Sequence, residues 1–172
     1  QVTACRVAEY RSSTTRLSRL KTMVARRADG RVVLERPPRL APVAEQRLGL
    51  AERVRFAGQQ PHESLKYWFS AADALILASS REGWANVLLE AMASGTPVVA
   101  TRVNGTPEVV AAPEAGRLAD QRNVEHLAKA LRDLLANYPE RSAVRRYAEN
   151  FSWDETTQRQ LALFSEICGR KG

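Results

Sequence analysis

The amino-acid sequence predicts an α/β fold in which a parallel β-sheet is flanked by helices. After residue 50, short apolar runs alternate with stretches of helical periodicity, which is typical of parallel strands connected by helices. The turns between these stretches contain residues that end or start helices, which supports the same arrangement. The predicted strands are, in chain order, Arg31–Leu34 as the weakest, then Val54–Phe56, Ala74–Leu77 and Val98–Ala100.

Helix signals fill the intervals between these strands and most of the C-terminal third. Gly95 is expected to end a helix, because glycine adopts the left-handed conformation that closes many helices. Thr106-Pro107-Glu108 combines an N-cap, a proline at the first helical position and an acid in the first turn. The first two predicted helices cover residues 61–70 and 86–94, and a third starts at Thr106. A fourth starts at Asn123, where helical spacing is shown by Val124, Leu127, Leu131, Leu134 and Leu135. The last predicted helix is Asp154–Cys168, which follows a capping box formed by Ser152 and Glu155.

Length and composition predict one globular domain. A chain of 172 residues that is 44% hydrophobic and 26% charged can bury its own core. The longest apolar run, Ala71–Ala78, contains Asp73 and is far shorter than the roughly 20 residues of a membrane span. No leader opens the sequence, and Cys5 and Cys168 have no metal-ligand or redox spacing. We therefore expect a cytoplasmic protein that contains no metal.

The excess positive charge lies at the N-terminal end. Residues 1–50 hold 11 Lys and Arg against 4 Asp and Glu, whereas residues 51–172 hold 15 of each. Residues 1–47 could therefore bind nucleic acid or an anionic membrane surface, and peripheral membrane contact remains open. Nucleic acid is the less favoured partner, because Tyr10 is the only aromatic among these basic residues and single-strand binders rely on aromatic stacking.

The residues with the clearest chemistry lie between 79 and 95, at the junction of a predicted strand and a predicted helix. Open α/β sheets place ligands at the carboxyl ends of their strands. The first backbone N–H groups of the helix have no intrahelical partners, and the helix dipole adds partial positive charge, so this turn can hold a phosphate. Gly83 would let the backbone approach such a ligand closely.

Two carboxylates flank this predicted anion site. Helical side chains lean toward the N-terminus, which brings Glu90 near the helix start, and Glu82 approaches from the turn. Carboxylates beside a diphosphate are useful as acceptors for ligand hydroxyls, and a nucleotide sugar has hydroxyls at both ends. The pair therefore suggests a nucleotide-sugar donor. The alternative is that Glu82 is a surface charge on a loop and Glu90 is part of an exposed helix face.

Residues 82–101, EGWANVLLEAMASGTPVVAT, resemble the E-x7-E signature of family-four retaining glycosyltransferases of the GT-B fold. The resemblance covers about residues 48–165 and includes residues 104–110 and the closing Phe-Ser-Trp of residues 151–153. It implies a Rossmann-like domain with helices on both faces that forms one half of a GT-B fold. In this family the C-terminal domain binds the nucleotide-sugar donor, the N-terminal domain binds the acceptor, and the reaction takes place between them. The acceptor domain is expected to be missing from this chain.

The resemblance also implies roles for individual residues. Glu82 would contact the hydroxyls of the donor sugar and act as the catalytic residue, and Glu90 would hold the ribose. No metal or other cofactor is implied, and His62 and His126 are expected to be surface or packing residues. The implied donor-binding residues are Glu82, Gly83, Trp84, Ala85, Asn86, Val87, Leu88 and Glu90, with the backbone N–H groups of Trp84 to Leu88 facing the diphosphate of a UDP-, GDP- or ADP-sugar.

The sequence departs from the family pattern in its first part. Residues 1–28 show no apolar strand followed by the basic loop that clamps the diphosphate, so Arg26 and Arg27 are only substitutes for it. Residues 29–34 resemble the second strand, but residues 35–39, ERPPR, replace a glycine-rich loop near the base. Ala85 replaces a common proline and Asn104 a common glycine, the second a mild change because asparagine tolerates left-handed geometry.

These observations lead to one expected domain and several functional alternatives. Residues 1–172 are interpreted as a single nucleotide-sugar-binding domain in which residues 1–47 are atypical, and residues 1–28 are hypothesised not to be native to the family. The main interpretation is the donor-binding half of a retaining glycosyltransferase, inactive by itself. A non-catalytic nucleotide-binding module or inactive fragment, and a sugar epimerase on the same two-domain fold, are the alternatives.

Overall fold

A six-stranded β-sheet organises the computed structural model, which describes residues 21–24, 32–34, 54–57 and 60–169. The order across the sheet is β3-β2-β1-β4-β5-β6. The three strands predicted after residue 50 are confirmed, and β5 extends to Thr101. The strands are β1 Lys21–Val24, β2 Val32–Leu34, β3 Val54–Phe56, β4 Ala74–Leu77, β5 Val98–Thr101 and β6 Gly116–Ala119.

The sheet is parallel within β4, β5 and β6 and between β2 and β3, but β1 is antiparallel to both of its neighbours. Strand β1 at Lys21–Val24 was not predicted, because the sequence of residues 1–28 showed no apolar strand followed by the family's basic loop. Its direction has a physical reason: β1 ends at Val24 and β2 begins at Val32, and this connection is shorter than the dozen or more residues of a parallel crossover. The predicted α/β Rossmann-like class is confirmed, with one reversed strand inside it.

The described part of the chain holds six helices, and five of them follow the sequence signals. Gly95 adopts a φ of 78° after the second helix, and the Asn123 side chain accepts a hydrogen bond from the His126 N–H, as expected of a C-terminal glycine and an N-cap. The fifth helix had not been singled out in the sequence. The helices are α1 His62–Ala71, α2 Asn86–Ala93, α3 Thr106–Val109, α4 Val124–Ala136, α5 Arg141–Glu149 and α6 Trp153–Gly169.

Core residues lie on both faces of the sheet, as predicted for this fold class. Alternate residues of β4 and β5 point to opposite sides. Leu75 and Val98 pack in one cluster with α2 and α5, while Ala74 and Val99 pack in another with Leu134 of α4. Helix α6 differs, because its large apolar side chains are more than half exposed: Leu161, Leu163, Phe164 and Ile167. None of the helices in the described residues combines the length and apolar character that crossing a membrane requires.

Arg141, at the start of α5, ties three parts of the fold together. Its guanidinium donates to the carbonyl oxygens of Ser70 at 2.7 Å and Ala72 at 2.9 Å, at the C-terminal end of α1. It also donates at 2.9 Å to the hydroxyl of Thr96, which precedes β5. The last carbonyls of a helix have no intrahelical donor and carry partial negative charge, so a guanidinium is well suited to this position.

We expect Arg141→Met to destabilise the chain, because it removes these hydrogen bonds while keeping the aliphatic part of the side chain. Losing three charge-assisted bonds, of which those to Ala72 and Thr96 are partly buried, should lower the free energy of unfolding by about 2–4 kcal/mol, measured by urea denaturation. The matched control is Arg145→Met on the same helix, where the lost partner is the exposed Glu149 and the expected change is about 0–1 kcal/mol. Equal losses in the two variants would contradict this role for Arg141.

Candidate functional site

The candidate site lies where the loops that follow β4 and β5 meet. Strands β4 and β5 are parallel and adjacent, with Leu75 opposite Val98 and Leu77 opposite Ala100, so both strands end at the same edge of the sheet. The β4 loop leads through residues 78–85 into α2, and the β5 loop leads through residues 102–105 into α3. This edge is where open α/β sheets place their ligands, as the sequence predicted.

Glu82 is held by a buried hydroxyl rather than projecting freely into solvent. The Ser79 Oγ donates a hydrogen bond to Glu82 Oε1 at 2.5 Å. Ser79 is only 3% exposed, and Glu82 is half-buried. The carboxylate of Glu82 is therefore held in place by a neighbouring side chain in this loop.

Two buried threonines continue this network behind Ser79. The Thr101 hydroxyl donates to the Ser79 carbonyl at 2.5 Å, and the Thr106 hydroxyl lies 2.6 Å from the Thr101 carbonyl and 2.8 Å from that of Val103. The Val103 N–H in turn donates to the Thr106 hydroxyl at 3.0 Å. Thr101 and Thr106 are both essentially inaccessible to solvent. Thr106 was expected to be an N-cap, but the N-cap is Gly105 and Thr106 is the first helical residue. The hydroxyls of Ser79 and Thr101 had no predicted role, because Ser and Thr near a strand end are also ordinary turn residues.

The two loops approach each other most closely at Gly105. A Cβ atom added there would lie 2.5 Å from the carbonyl oxygen of Gly83, a separation that real Cβ atoms do not show. Asn104, just before it, has a φ of 44°, which confirms the expected tolerance of asparagine for left-handed geometry. The position at 105 therefore needs a glycine for space, and the neighbouring turn needs a residue such as asparagine for its backbone conformation.

Trp84 covers this junction from the outside. Its ring centroid lies 6.1 Å from that of Phe151, and Phe151 in turn packs edge-on against Tyr147 at 5.4 Å. The Tyr147 hydroxyl accepts from the Ala111 N–H and donates to the Val109 carbonyl. Trp84 remains 47% exposed, so it both packs against the C-terminal part of the domain and presents surface at the candidate site.

The start of α2 keeps backbone donors available for a ligand. Its N-cap, Ala85, makes no side-chain capping bond. The Asn86 N–H donates to Trp84 O and the Leu88 N–H to Ala85 O, so two of the predicted diphosphate donors are used within the turn. Among the hydrogen bonds of the described residues, none occupies the backbone N–H of Trp84, Ala85 or Val87. Of the five predicted anion-binding N–H groups, those of Asn86 and Leu88 are therefore already bonded within the turn. The side chains of Ala85, Val87 and Leu88 are buried and pack in the core.

Glu90 lies one helical turn beyond Asn86 and has a neighbour that the sequence did not reveal. Its Oε1 is 3.7 Å from the Nε2 of His62, the first residue of α1. The side chains of His62 and Glu90 are 83% and 39% exposed, so His62 is on the surface as expected and the Glu90 carboxylate is open to solvent. His126 is partly buried in the first turn of α4.

Several predicted features lie outside the described residues. These are Cys5, Arg26 and Arg27, residues 35–39, and the atypical segment 1–47 apart from β1 and β2. Within the described ranges, no group of three or more His, Cys, Asp or Glu side chains is arranged to hold a metal ion.

The fold and the site define an α/β domain of the Rossmann-like class with a helix start and two carboxylates at the ligand-binding edge. Residues 43–151 match the family model described as glycosyl transferases group 1. The chain therefore belongs to this family of transferases, and corresponds to the C-terminal domain of a GT-B glycosyltransferase.

The chain is also similar in sequence and in structure to individual known proteins. The chain is 38% identical over 138 residues to a D-inositol 3-phosphate glycosyltransferase of Corynebacterium urealyticum, covering 78% of this chain and 32% of that protein. Among solved structures, sucrose-phosphate synthase from Thermosynechococcus elongatus is 28% identical, with a TM-score of 0.67 over 81% of this chain and 38% of its own. Anabaena HepE in complex with UDP is 25% identical, with a TM-score of 0.58 over 73% and 35%. The chain spans about a third of the length of the curated relatives it matches.

We expect Gly105→Ala to disturb the junction of the two loops. The new methyl group would collide with the Gly83 carbonyl, and forced repacking of this kind costs about 1–3 kcal/mol of folding free energy. Gly83→Ala is the matched control, because a Cβ at 83 meets nothing within 4 Å, and its expected effect on stability is within about 0.5 kcal/mol. Thermal denaturation of both variants would measure the difference, and equal stability would contradict the close approach.

Proposed function

We propose that this chain is the donor-binding domain of a retaining glycosyltransferase and binds a nucleotide sugar across the turn between β4 and α2. The observation that supports this most strongly is the half-buried Glu82, whose carboxylate is anchored by Ser79 beside a helix start with available N–H groups. An anchored acceptor and free donors at one turn suit a ligand that carries hydroxyl groups and a phosphate together.

Each part of the donor has a proposed partner. The backbone N–H groups of Trp84, Ala85 and Val87 receive the diphosphate, assisted by the dipole of α2. Glu82 accepts hydrogen bonds from the sugar hydroxyls, and Glu90 accepts them from the ribose. Gly83 leaves room for the ligand, since nothing lies within 4 Å of the space a side chain there would fill. Anabaena HepE, to which the chain is 25% identical, was solved in complex with UDP, which supports a uridine or related nucleotide as the first ligand to test.

In the proposed reaction, the acceptor hydroxyl attacks the anomeric carbon on the face from which the diphosphate departs. The bond to the acceptor oxygen forms as the bond to the diphosphate oxygen breaks, and the proton of the acceptor hydroxyl passes to the departing diphosphate. Negative charge develops on that phosphate as its bond to the sugar breaks. Stabilising this charge is the main catalytic task, and fixed N–H donors at a helix start perform it without rearrangement. Because these donors and the helix dipole supply the compensation, we propose that donor binding needs no metal ion.

The chain spans about a third of the length of its relatives, and the function proposed for it is that of the donor-binding domain. Donor binding is therefore the property to measure on the 172-residue chain. A non-catalytic nucleotide-binding module would share this binding property. Turnover with an acceptor separates the two functions, whereas the binding site itself is tested by titration.

We expect Glu82→Ala and Glu90→Ala to affect opposite ends of the ligand in calorimetric titrations with UDP, UDP-glucose, GDP and GDP-mannose. Loss of a hydrogen bond to a charged group costs about 1.5–3 kcal/mol, which is roughly 10- to 150-fold in affinity. Glu90→Ala should weaken the nucleotide and its sugar conjugate equally. Glu82→Ala should remove only the additional affinity that the sugar provides, and EDTA should change none of these values.

Asp133→Ala provides the control for loss of a carboxylate. Asp133 lies in the last turn of α4 and pairs with the exposed Lys129, so its removal should leave all four affinities unchanged. Failure of the folded chain to bind any of the four nucleotides would contradict the proposed donor site. An equal loss for UDP and UDP-glucose in Glu82→Ala would contradict its assignment to the sugar.

A further inference from the structure

We propose that Ser79 and Thr101 are positioning residues that fix the carboxylate of Glu82 for the donor sugar, with Thr106 supporting them from behind. This inference rests on the proposed function, because it states that three buried hydroxyls hold Glu82 in the orientation that binds the donor sugar. Hydrogen bonds link these residues one after another, from Thr106 at the start of α3 through Thr101 to Ser79 and the turn that carries Glu82.

The first step is the contact between Ser79 and Glu82. A glutamate side chain in water samples many rotamers, and fixing one of them on binding costs free energy. The Ser79 hydroxyl engages Oε1 at 2.5 Å, while no hydrogen bond among the described residues uses Oε2. One carboxylate oxygen is therefore anchored and the other remains available as an acceptor. An acceptor that is held in place before the ligand arrives binds more tightly than one that must be ordered.

The second step is the support of Ser79 itself. The parallel ladder between β4 and β5 ends at Leu77 and Ala100, two residues before Ser79. Beyond it, the hydroxyl of Thr101 donates to the Ser79 carbonyl at 2.5 Å, so a side chain continues the link between the strands where backbone pairing has stopped. Thr101 is 1% exposed, which protects this bond from competition with water.

The third step connects the network to the neighbouring loop. The Thr106 hydroxyl is fully buried at the start of α3, where it lies within hydrogen-bonding distance of the carbonyls of Thr101 and Val103 and accepts from the Val103 N–H. The β5 loop is thereby closed against the end of its own strand. Gly105, the residue before Thr106, lies against Gly83, so the turn that carries Glu82 is supported from two sides.

A purely structural role for these hydroxyls predicts a different result from a positioning role. If the hydroxyls only stabilise the domain, removing one would lower the stability and weaken nucleotide and nucleotide sugar by the same factor. If they position Glu82, removing one would weaken the sugar conjugate more than the free nucleotide. The ratio of the two affinities therefore separates the two roles.

The test is titration of the full 172-residue chain with UDP and UDP-glucose, and with GDP and GDP-mannose, in the variants Ser79→Ala, Thr101→Val, Glu82→Ala and Ser79→Ala/Glu82→Ala. We expect Ser79→Ala to lower the affinity ratio of sugar conjugate to nucleotide by about fivefold, the value of one typical hydrogen bond, with less change for the nucleotide alone. Thr101→Val should lower the ratio less, and the double variant should match Glu82→Ala. Ser94→Ala, which removes a half-buried hydroxyl bonded to the Glu90 carbonyl, should leave the ratio unchanged.

The outcomes distinguish this inference from the function it rests on. If Glu82→Ala lowers the ratio and Ser79→Ala does not, the positioning role is overturned while the donor site stands. If Glu82→Ala leaves the ratio unchanged, the assignment of Glu82 to the sugar fails and the proposed role of Ser79 fails with it. Urea denaturation of the unsubstituted chain, Ser79→Ala, Glu82→Ala and the double variant checks the contact without any ligand. Coupled losses of stability at 79 and 82 support it, and additive losses overturn it.

Discussion

The parallel pairing of β4 with β5 is the constraint on which the rest of the structure depends. It brings the ends of two strands to one edge of the sheet, and the loops that follow them have to share that space. The space is small enough that a Cβ at residue 105 would lie 2.5 Å from the Gly83 carbonyl oxygen, so a larger residue would displace the neighbouring loop. Burial of both strands, with Leu75, Val98 and Val99 inaccessible to solvent, holds this pairing in place.

The sequence predicted this half of the molecule well because local and long-range signals agree there. The apolar runs of β4 and β5, the left-handed Gly95 and the N-cap at Asn123 all belong to segments whose turn chemistry matches their packing. Strand β1 was missed because KTMV has no distinctive apolar pattern, and its position comes from pairing with β2 and β4. Its reversed direction depends on a short connection, which strand propensity does not record.

The charged residues of the candidate site could be predicted from the sequence, but the side chains that contact them could not. Glu82, Glu90 and the start of α2 stand out in sequence because carboxylates beside a predicted phosphate site suggest a ligand that also carries hydroxyl groups. The buried hydroxyls of Ser79 and Thr101 and the contact between His62 and Glu90 depend on side chains brought together from separate elements. The number of free donors also required the structure, since Asn86 and Leu88 turn out to bond within the turn.

The central claim is that the turn between β4 and α2 receives the diphosphate and sugar of a nucleotide-sugar donor. The most direct test is a ¹H–¹⁵N correlation spectrum of the labelled chain during titration with UDP-glucose and GDP-mannose. We expect the largest saturable shifts of one of these titrations at the backbone amides of Trp84, Ala85 and Val87, with smaller shifts at Asn86 and Leu88, whose N–H groups are already bonded. Saturable shifts that leave residues 82–90 unaffected would contradict it.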